Sequence, residues 1–207
     1  YYGILRADAV VVPVNPMNLT DELRHYVADS GAKVAFAAQD ILPRMLPLLG
    51  DGPQQGLQHV IVATYSDCLL APTDLPVPDF VAAPRQPLQA AGAIAWADMM
   101  AAQLTPGPIE AGPDDLAVMP YTSGTTGHPK GCMHTHRSTM YNTVGGGVWG
   151  QTPQGGVALA VLPLFHVTGM QANLNAAIYY GATVVLLPRW NRDAAAACVQ
   201  RYRVTSL

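Results

Sequence analysis

The sequence predicts an α/β fold in which mostly parallel sheets are flanked by helices. Short, continuous apolar runs rich in β-branched residues recur along the chain, as in strands that are buried on both faces. Helical patterns lie between these runs, and such alternation favours parallel strand pairing. The chain has 207 residues, of which 50% are hydrophobic and 12% are charged. It is therefore long enough to bury a substantial core, as one domain or as one domain with a small appendage.

The apolar runs give the predicted strands. Pro13 lies inside the first run and restricts it to a sheet edge or a strand end, because proline has no N–H for the ladder. The predicted strands cover residues 9–14, 33–38, 59–63, 116–121, 131–135, 157–162 and 183–187.

A helix over residues 20–30 is predicted by its end signals. Thr20 is a typical N-cap residue, and the acidic Asp21 and Glu22 follow in the first turn, where they complement the helix dipole. Gly31 comes just past the last helical residue, which is the usual place for a left-handed C-terminal cap.

Further helices are predicted at residues 40–49, 137–143, 168–180 and 192–203. Pro43 and Pro47 disturb the helical pattern of the first of these segments. Gly181 follows the segment 168–180 and fits its C-terminal cap.

Residues 66–113 break the alternation of strands and helices. The stretch contains many of the prolines: Pro72, Pro76, Pro78, Pro84, Pro87, Pro106, Pro108 and Pro113. We expect a long surface excursion that carries one short helix near residues 93–103, and loops of this length are usually functional or mobile. It would separate an early βα portion, residues 1–65, from the portion with the loop described below, residues 114–207.

Charge and cysteine usage exclude several classes of protein. The formal net charge is −3, and no run of Lys or Arg forms a footprint for nucleic acid or for an anionic membrane. The apolar stretches are too short for a membrane span, and no signal peptide is evident. The three cysteines are far apart and form no C-x-x-C pair, which favours a reducing, cytoplasmic location over a disulfide framework.

Both ends of the chain read as interrupted elements. There is no initiator Met, residues 1–9 have the pattern of a helix already under way, and residues 204–207 have the pattern of a strand beginning. We expect a fragment of a longer enzyme, with a naturally short protein as the alternative.

The stretch YTSGTTGHPKG, residues 121–131, has a composition suited to a polyphosphate. Glycines let the backbone take positive φ and approach a ligand, and successive N–H groups in such a turn can converge on an anion. Pro129 stiffens the approach to Lys130, which is one of only two lysines in the chain. The candidate groups are the hydroxyls of Thr122, Ser123, Thr125 and Thr126, the glycines Gly124, Gly127 and Gly131, and the ammonium of Lys130.

Two better-known phosphate motifs do not match this stretch. In the Walker A loop a Gly-Lys pair is followed by Ser or Thr, whereas here His128 and Pro129 separate Gly127 from the lysine and Gly131 follows it. The dinucleotide fingerprint G-x-G-x-x-G is absent as well. The remaining alternative is a polar turn between strands that binds nothing.

Residues 121–131 closely resemble the signature loop of the adenylate-forming enzymes, the acyl-CoA synthetase or AMP-binding superfamily. Residues 133–137, MHTHR, are similar to the strand and helix start that follow that loop in the family. Residues 162–169, LPLFHVTG, resemble the motif that lines the acyl pocket of fatty-acid and aryl-acid CoA ligases. Residues 10–15 with 20–34 resemble the early βα unit. The resemblance implies part of the N-terminal domain of such an enzyme.

The family resemblance implies a two-step acid–CoA ligase. A carboxylate attacks the α-phosphorus of ATP with Mg²⁺ present, pyrophosphate leaves, and the thiol of coenzyme A captures the acyl-adenylate. The motif at 162–169 favours medium- or long-chain fatty acids or aryl acids. The family's adenine, ribose and metal-contacting segments and its C-terminal lysine are absent, so we expect little activity from this chain alone. The alternatives are a non-catalytic nucleotide-binding module and a structural domain, and the resemblance leaves a homo-oligomer open.

The resemblance also assigns roles to particular residues. Lys130 and Thr126 would be catalytic. His166 would lie beside the acyl pocket near the substrate carboxylate, although a lone histidine among apolar residues is otherwise a core group. The implied nucleotide-binding residues are Thr122, Ser123, Gly124, Thr125, Thr126, Gly127 and Lys130. The implied substrate-binding residues are Phe165, His166 and Gly169, with Phe165 and Met170 open to interpretation as pocket wall or core.

No metal site is expected at Cys132, His134 and His136. On a strand their side chains would share one face, but the outer two would lie about 13 Å apart. Bonds of about 2 Å could not bring all three to one tetrahedral zinc ion. Core packing, and a contact of His136 at a helix start, are the expected roles.

Overall fold

The computed structural model describes residues 1–50, 56–122, 127–151 and 154–207. The chain divides into two compact units. One, here called the loop unit, comprises Tyr1–Asn15 and Pro108–Leu207, and the other, the small unit, comprises Pro16–Gly107. Each unit combines helices with parallel strands, which confirms the predicted α/β class.

The described helices and strands follow the predicted order along the chain. The α-helices are α1 Tyr2–Arg6, α2 Thr20–Ser30, α3 Leu42–Met45, α4 Asp79–Ala82, α5 Trp96–Ala101, α6 His136–Trp149, α7 Val167–Gly169, α8 Ala176–Tyr179 and α9 Arg192–Tyr202. The strands are β1 Val34–Ala38, β2 His59–Ala63, β3 Ala93–Ala95, β4 Leu116–Val118, β5 Tyr121–Thr122, β6 Lys130–Gly131, β7 His134–Thr135, β8 Val157–Ala160 and β9 Thr183–Leu186.

A parallel sheet of order β1-β2-β3 is the frame of the small unit. The central strand β2 is the most buried, with Val60, Ile61 and Val62 at most 4% exposed, as its continuous apolar sequence predicts. The prediction of a single short helix near residues 93–103 was wrong for its first three residues, which form β3. Residues 93–95 pair with β2, whose free edge needs hydrogen-bond partners, and only the following α5 is helical.

The helix predicted at residues 20–30 is confirmed, but its N-cap prediction was wrong. Leu19 occupies the N-cap position, and its backbone N–H donates to the Glu22 carboxylate at 2.8 Å. The Thr20 hydroxyl instead donates to the Arg44 carbonyl at 3.0 Å, which ties α2 to α3. Gly31 adopts φ +67°, the left-handed cap expected of it.

The predicted helix at residues 40–49 is broken into three short pieces. A 3₁₀ turn at Gln39–Ile41 leads into α3, and a second 3₁₀ turn follows at Leu46–Leu48. Pro43 and Pro47 fall in first-turn positions, where a missing N–H costs no hydrogen bond.

The parallel strands β8 and β9 form the second half of the loop unit. Val157 pairs with Thr183 at the start of the ladder, and Ser206 adds an isolated parallel bridge on the other side of β8. Leu159, in the middle of β8, is 0% exposed. The buried apolar residues of this strand pair therefore lie on β8, as its continuous apolar sequence predicts.

Two predicted strands are each split into two short ones. Residues 116–121 become β4 and β5, and residues 131–135 become β6 and β7, with antiparallel pairings β4-β7 and β5-β6. A register shift between Leu116 and Val118, together with Pro120, which has no N–H, interrupts the ladder. The predicted strand at 9–14 reduces to one bridge between Val11 and Val118.

The helix predicted at residues 168–180 contains a π-helical segment. It runs as α7, then Met170–Asn175 in π geometry, then α8, and here this whole element is called the interrupted helix. Gly181 follows it with φ +66°, which confirms the predicted cap. Helix α6 extends past its predicted end to Trp149, and Gly147 on it packs against the Tyr180 ring.

No helix in the parts of the chain that the structure covers is long and apolar enough to cross a membrane.

Candidate functional site

The neck of the glycine-rich loop is a two-residue antiparallel ladder. Tyr121 pairs with Gly131 and Thr122 with Lys130. Directly opposed residues on such a ladder have Cβ atoms about 4.5–5.5 Å apart. Thr122 and Lys130 are both exposed. The side chains that carry a hydroxyl and an ammonium group therefore start opposite each other where the loop begins and ends.

Gly127 behaves as expected of a residue that lets the backbone approach a ligand. It has φ +92°, in the region that favours glycine, and apart from its chain neighbours no described atom lies within 4 Å of the place a Cβ would take. The neighbouring His128 is exposed as well. Ser123, Gly124, Thr125 and Thr126, which the sequence also assigns to this site, lie outside the described residues.

Gly131 is a glycine for a different reason from the one the sequence suggested. It is not among the residues with positive φ. A Cβ here would lie 2.8 Å from the Met119 sulfur and 3.2 Å from the Tyr121 ring. A side chain at this position would therefore crowd neighbouring side chains at the neck, and backbone conformation does not require glycine here.

Helix α6 starts directly after the second half of the loop. Thr135 is its N-cap and accepts a hydrogen bond from the Ser138 N–H at 3.1 Å. Arg137 donates to both carboxylate oxygens of Asp114, at 2.7 and 2.9 Å, and this hydrogen bonding lowers the pKa of Asp114 below its ordinary value. Both side chains are exposed, so the pair ties α6 to the segment before β4 without burying charge.

The two histidines after the loop, His134 and His136, take part in secondary structure through their backbones. His134 lies on β7, and His136 begins α6, with its N–H donating to the Asp115 carbonyl at 3.1 Å. Across the residues whose placement is described, no three His, Cys, Asp or Glu side chains lie together as metal ligands.

The acyl-pocket motif, residues 162–169, connects β8 to the interrupted helix. His166 is exposed and is the N-cap of α7, with its Nδ1 accepting from the Thr168 N–H at 3.3 Å. The alternative of a buried core histidine is therefore wrong. With Nδ1 occupied as an acceptor, the neutral ring carries its hydrogen on Nε2, which is left to donate to a ligand.

Phe165 and Gly169 lie on either side of this histidine in different environments. Phe165 is half-buried, whereas Gly169 is buried. A Cβ on Gly169 would overlap the backbone carbonyl of Pro163. The turn of the motif is therefore closed by a backbone contact that only glycine permits.

One buried cluster joins the loop to the acyl-pocket motif. Met170, the residue after the motif, packs with Val118, the last residue of β4, and with Val11. Met170 and Val118 are each 1% exposed. Met170 is therefore core and not pocket wall, and the segments that flank the two motifs share one core.

Sequence reasoning missed a polar cluster behind the acyl-pocket motif. Gln171, Asn173 and Asn175 all lie on the π-helical segment, and the latter two are 4% exposed. The signal was the density of amide side chains in MQANLN, which is unusual for a buried helix. The partners could not be identified because Thr143 and Tyr2 are distant in sequence.

An open groove of about 560 Å³ runs along α6. It is lined mostly by apolar groups, from Pro113, His136, Arg137, Met140, Tyr141, Val144 and Gly145. Among the described residues, none of those assigned to nucleotide or acid lines it.

Comparison with known proteins identifies the chain's relatives. A family model described as AMP-binding enzyme matches residues 1–207. The chain is 26% identical over 219 residues to a 4-coumarate–CoA ligase of Pinus taeda, covering 99% of the chain and 34% of the relative. It is 27% identical over 221 residues to a long-chain-fatty-acid–CoA ligase of Bacillus subtilis, covering 99% and 37%. The chain thus spans about a third of the length of these curated relatives.

A solved structure shares the fold. It is a long-chain-fatty-acid–CoA ligase from Archaeoglobus fulgidus, which superposes with a TM-score of 0.73 at 25% identity, over 99% of the chain and 36% of that structure.

Proposed function

Because the chain belongs to the AMP-binding enzyme family, we propose that it carries the phosphate loop and part of the acyl pocket of an acid–CoA ligase. The observation that carries the proposal is the shared core of Val11, Val118 and Met170. It holds the strand that leads into the loop against the helix that leaves the acyl-pocket motif. A site that joins a carboxylate to a nucleotide needs the loop and the acyl-pocket motif to be held in a fixed arrangement.

The first proposed step is attack of the substrate carboxylate oxygen on the α-phosphorus of ATP. A new P–O bond forms, the bond from the α-phosphorus to the bridging oxygen breaks, and pyrophosphate leaves with the electron pair. Two anions must approach one another, so preorganised donors lower the barrier most. Lys130 and Thr126 would offset charge as it develops on the leaving group. Thr122, Ser123, Thr125 and the backbone of Gly124 and Gly127 would hold the β- and γ-phosphates.

His166 would bind the substrate carboxylate in this step. Its exposed ring is held by the Thr168 N–H through Nδ1, so Nε2–H is free to donate. Phe165 would contact the acyl group, and Gly169 would keep the turn tight enough to present His166.

The second proposed step is attack of the coenzyme A thiol on the acyl carbonyl carbon. The thioester C–S bond forms as the thiol gives up its proton to solvent, the bond from the acyl carbon to the AMP oxygen breaks, and AMP leaves with the electron pair. The described residues of this chain carry no assigned group for this step.

Mg²⁺ would accompany ATP as a substrate complex. No cluster of carboxylates or imidazoles suited to a metal is present in the part of the chain that the structure describes. The donors at the loop neck are a hydroxyl and an ammonium group, and an ammonium cannot ligate a cation. We treat the ion as part of the nucleotide substrate and derive no step from it.

The proposed acid is a medium- or long-chain fatty acid or an aryl acid. The names of the relatives, 4-coumarate–CoA ligase and long-chain-fatty-acid–CoA ligase, support both classes. We also propose a cytoplasmic enzyme, in line with three free cysteines.

A panel of acids tests the proposed function. In the full-length protein, exchange of labelled pyrophosphate into ATP is expected with octanoate, palmitate or 4-coumarate and to be much weaker with acetate. The 207-residue chain alone is expected to exchange little with any of them. If full-length protein binds ATP but exchanges with no acid, the proposal fails in favour of a non-catalytic nucleotide-binding module.

A further inference from the structure

The π-helical segment Met170–Asn175 follows the acyl-pocket motif without a break. Its widened turn is closed by the Ala176 N–H, which donates to the Gln171 carbonyl. Segments of this kind are rare, cost helix stability and occur frequently at functional sites. Something outside the helix backbone is expected to hold such a turn in place.

The side-chain amide of Gln171 is the centre of the contacts that hold this turn. Its Oε1 accepts from the Thr143 hydroxyl at 2.7 Å and from the Asn175 Nδ2 at 3.1 Å. Thr143 also lies 3.0 Å from the Thr139 carbonyl, but its one hydrogen serves the shorter contact. Thr143 is 2% and Asn175 4% exposed, so these bonds are made away from solvent.

The network extends beyond the two helices. The Tyr2 hydroxyl donates to the Asn175 Oδ1 at 2.7 Å, which links α1 to the same cluster. Helix α6, the element that follows the phosphate loop, contributes Thr143. The rotation of the π-helical segment is therefore set by α6 on one side and α1 on the other.

Backbone hydrogen bonding and close packing connect this segment to His166. The Met170 N–H donates to the His166 carbonyl at 2.9 Å, and Met170 is 1% exposed in the shared core. Gly169, between them, is packed against the Pro163 backbone with no room for a Cβ. A rotation of Met170–Asn175 would therefore be passed on to the imidazole.

We propose that Gln171 is a positioning residue: its bonds to Thr143 and Asn175 fix the π-helical turn and thereby place His166 beside the substrate carboxylate. This inference rests on the proposed ligase function. We give Gln171 no contact with either substrate, because its amide oxygen is engaged with α6 and with its own helix. Gln171 therefore affects the binding of the acid and does not affect the binding of ATP.

Three variants of the full-length enzyme test this role. Gln171→Met removes the acceptor at similar length, Gln171→Glu keeps an acceptor oxygen, and Gln200→Met is the matched control on the exposed face of α9. Gln171→Met removes the acceptor of both hydrogen bonds and is expected to raise KM for the acid about tenfold, with KM for ATP unchanged. Gln171→Glu is expected to restore most of that loss, and Gln200→Met to match wild type.

The ¹⁵N signals of the His166 ring provide a readout that does not depend on turnover. They are expected to shift in Gln171→Met and to stay in place in Gln200→Met. Unchanged ring signals, or equal changes in both KM values with a lowered Tm, would overturn the positioning role. If wild type exchanges with no acid, the proposed function fails, while the ring signals still decide whether Gln171 places His166.

Discussion

Replacing Lys130 with alanine is expected to lower acid-dependent pyrophosphate exchange by the full-length enzyme about 100-fold, the usual effect of deleting one anion-hole donor. The ammonium would stabilise charge that develops on the leaving pyrophosphate, and the neighbouring Thr122 hydroxyl cannot supply a full positive charge. Lys130 is exposed on β6, so its removal leaves no cavity in the core. Tm should therefore stay within about one degree of wild type, because surface changes of this kind cost little.

The chain contains its own control for this experiment. Lys33 is the other lysine, and it lies just before β1 in the small unit. Lys33→Ala removes the same charge from the chain, and exchange is expected to match wild type. Wild-type exchange in Lys130→Ala, or equal losses in both variants, would contradict the role given to Lys130.

Replacing Gly169 with alanine is expected to destabilise the protein by about 3 kcal/mol, at the upper end of the usual cost of overpacking. Gly169 has φ −63° and ψ −42°, so helix propensity alone would favour alanine. The added methyl would, however, overlap the backbone carbonyl of Pro163. These backbone atoms cannot move aside as a flexible side chain would. Urea unfolding monitored by circular dichroism measures the change.

Gly169→Ala should also lower the rate of the acid-dependent reaction. Moving the turn by about 1 Å would displace His166, and misplacement of that size typically costs about 100-fold in rate. The matched control is Gly146→Ala on α6, where no atom lies within 4 Å of the added methyl. That variant is expected to be neutral or slightly stabilising. A Gly169→Ala protein as stable as Gly146→Ala would show that the motif can relax around a side chain.

The sequence predicted most elements because their signals are local. Thr20–Ser30 and Val157–Ala160 follow from end residues and from β-branched runs, and Gly31 and Gly181 end their helices as expected. Tertiary hydrogen bonding decided where local signals failed. Residues 93–95 became a strand because β2 offered an edge, and the Thr20 hydroxyl donates to the distant Arg44 carbonyl instead of capping its own helix.

The candidate site could be located from sequence, but its internal support could not. The loop and the motif at 162–169 are contiguous stretches, so composition and family resemblance identify them. The contact of Met170 with Val118, and the bond from Thr143 to Gln171, join residues distant in sequence. Gly131 illustrates the same limit, since the side chains of Met119 and Tyr121 crowd the place of a Cβ there and its φ is not positive.

The central claim is that the loop between β5 and β6 holds the phosphate tail of a nucleotide. Titrating the ¹⁵N-labelled chain with pyrophosphate and following each amide signal tests it directly. Shifts at Thr122, Gly127 and Lys130 are expected to saturate together and to weaken in Lys130→Ala, with the β1-β2-β3 sheet unaffected. Saturating shifts confined to another surface, or none at the loop while ATP still binds, would contradict it.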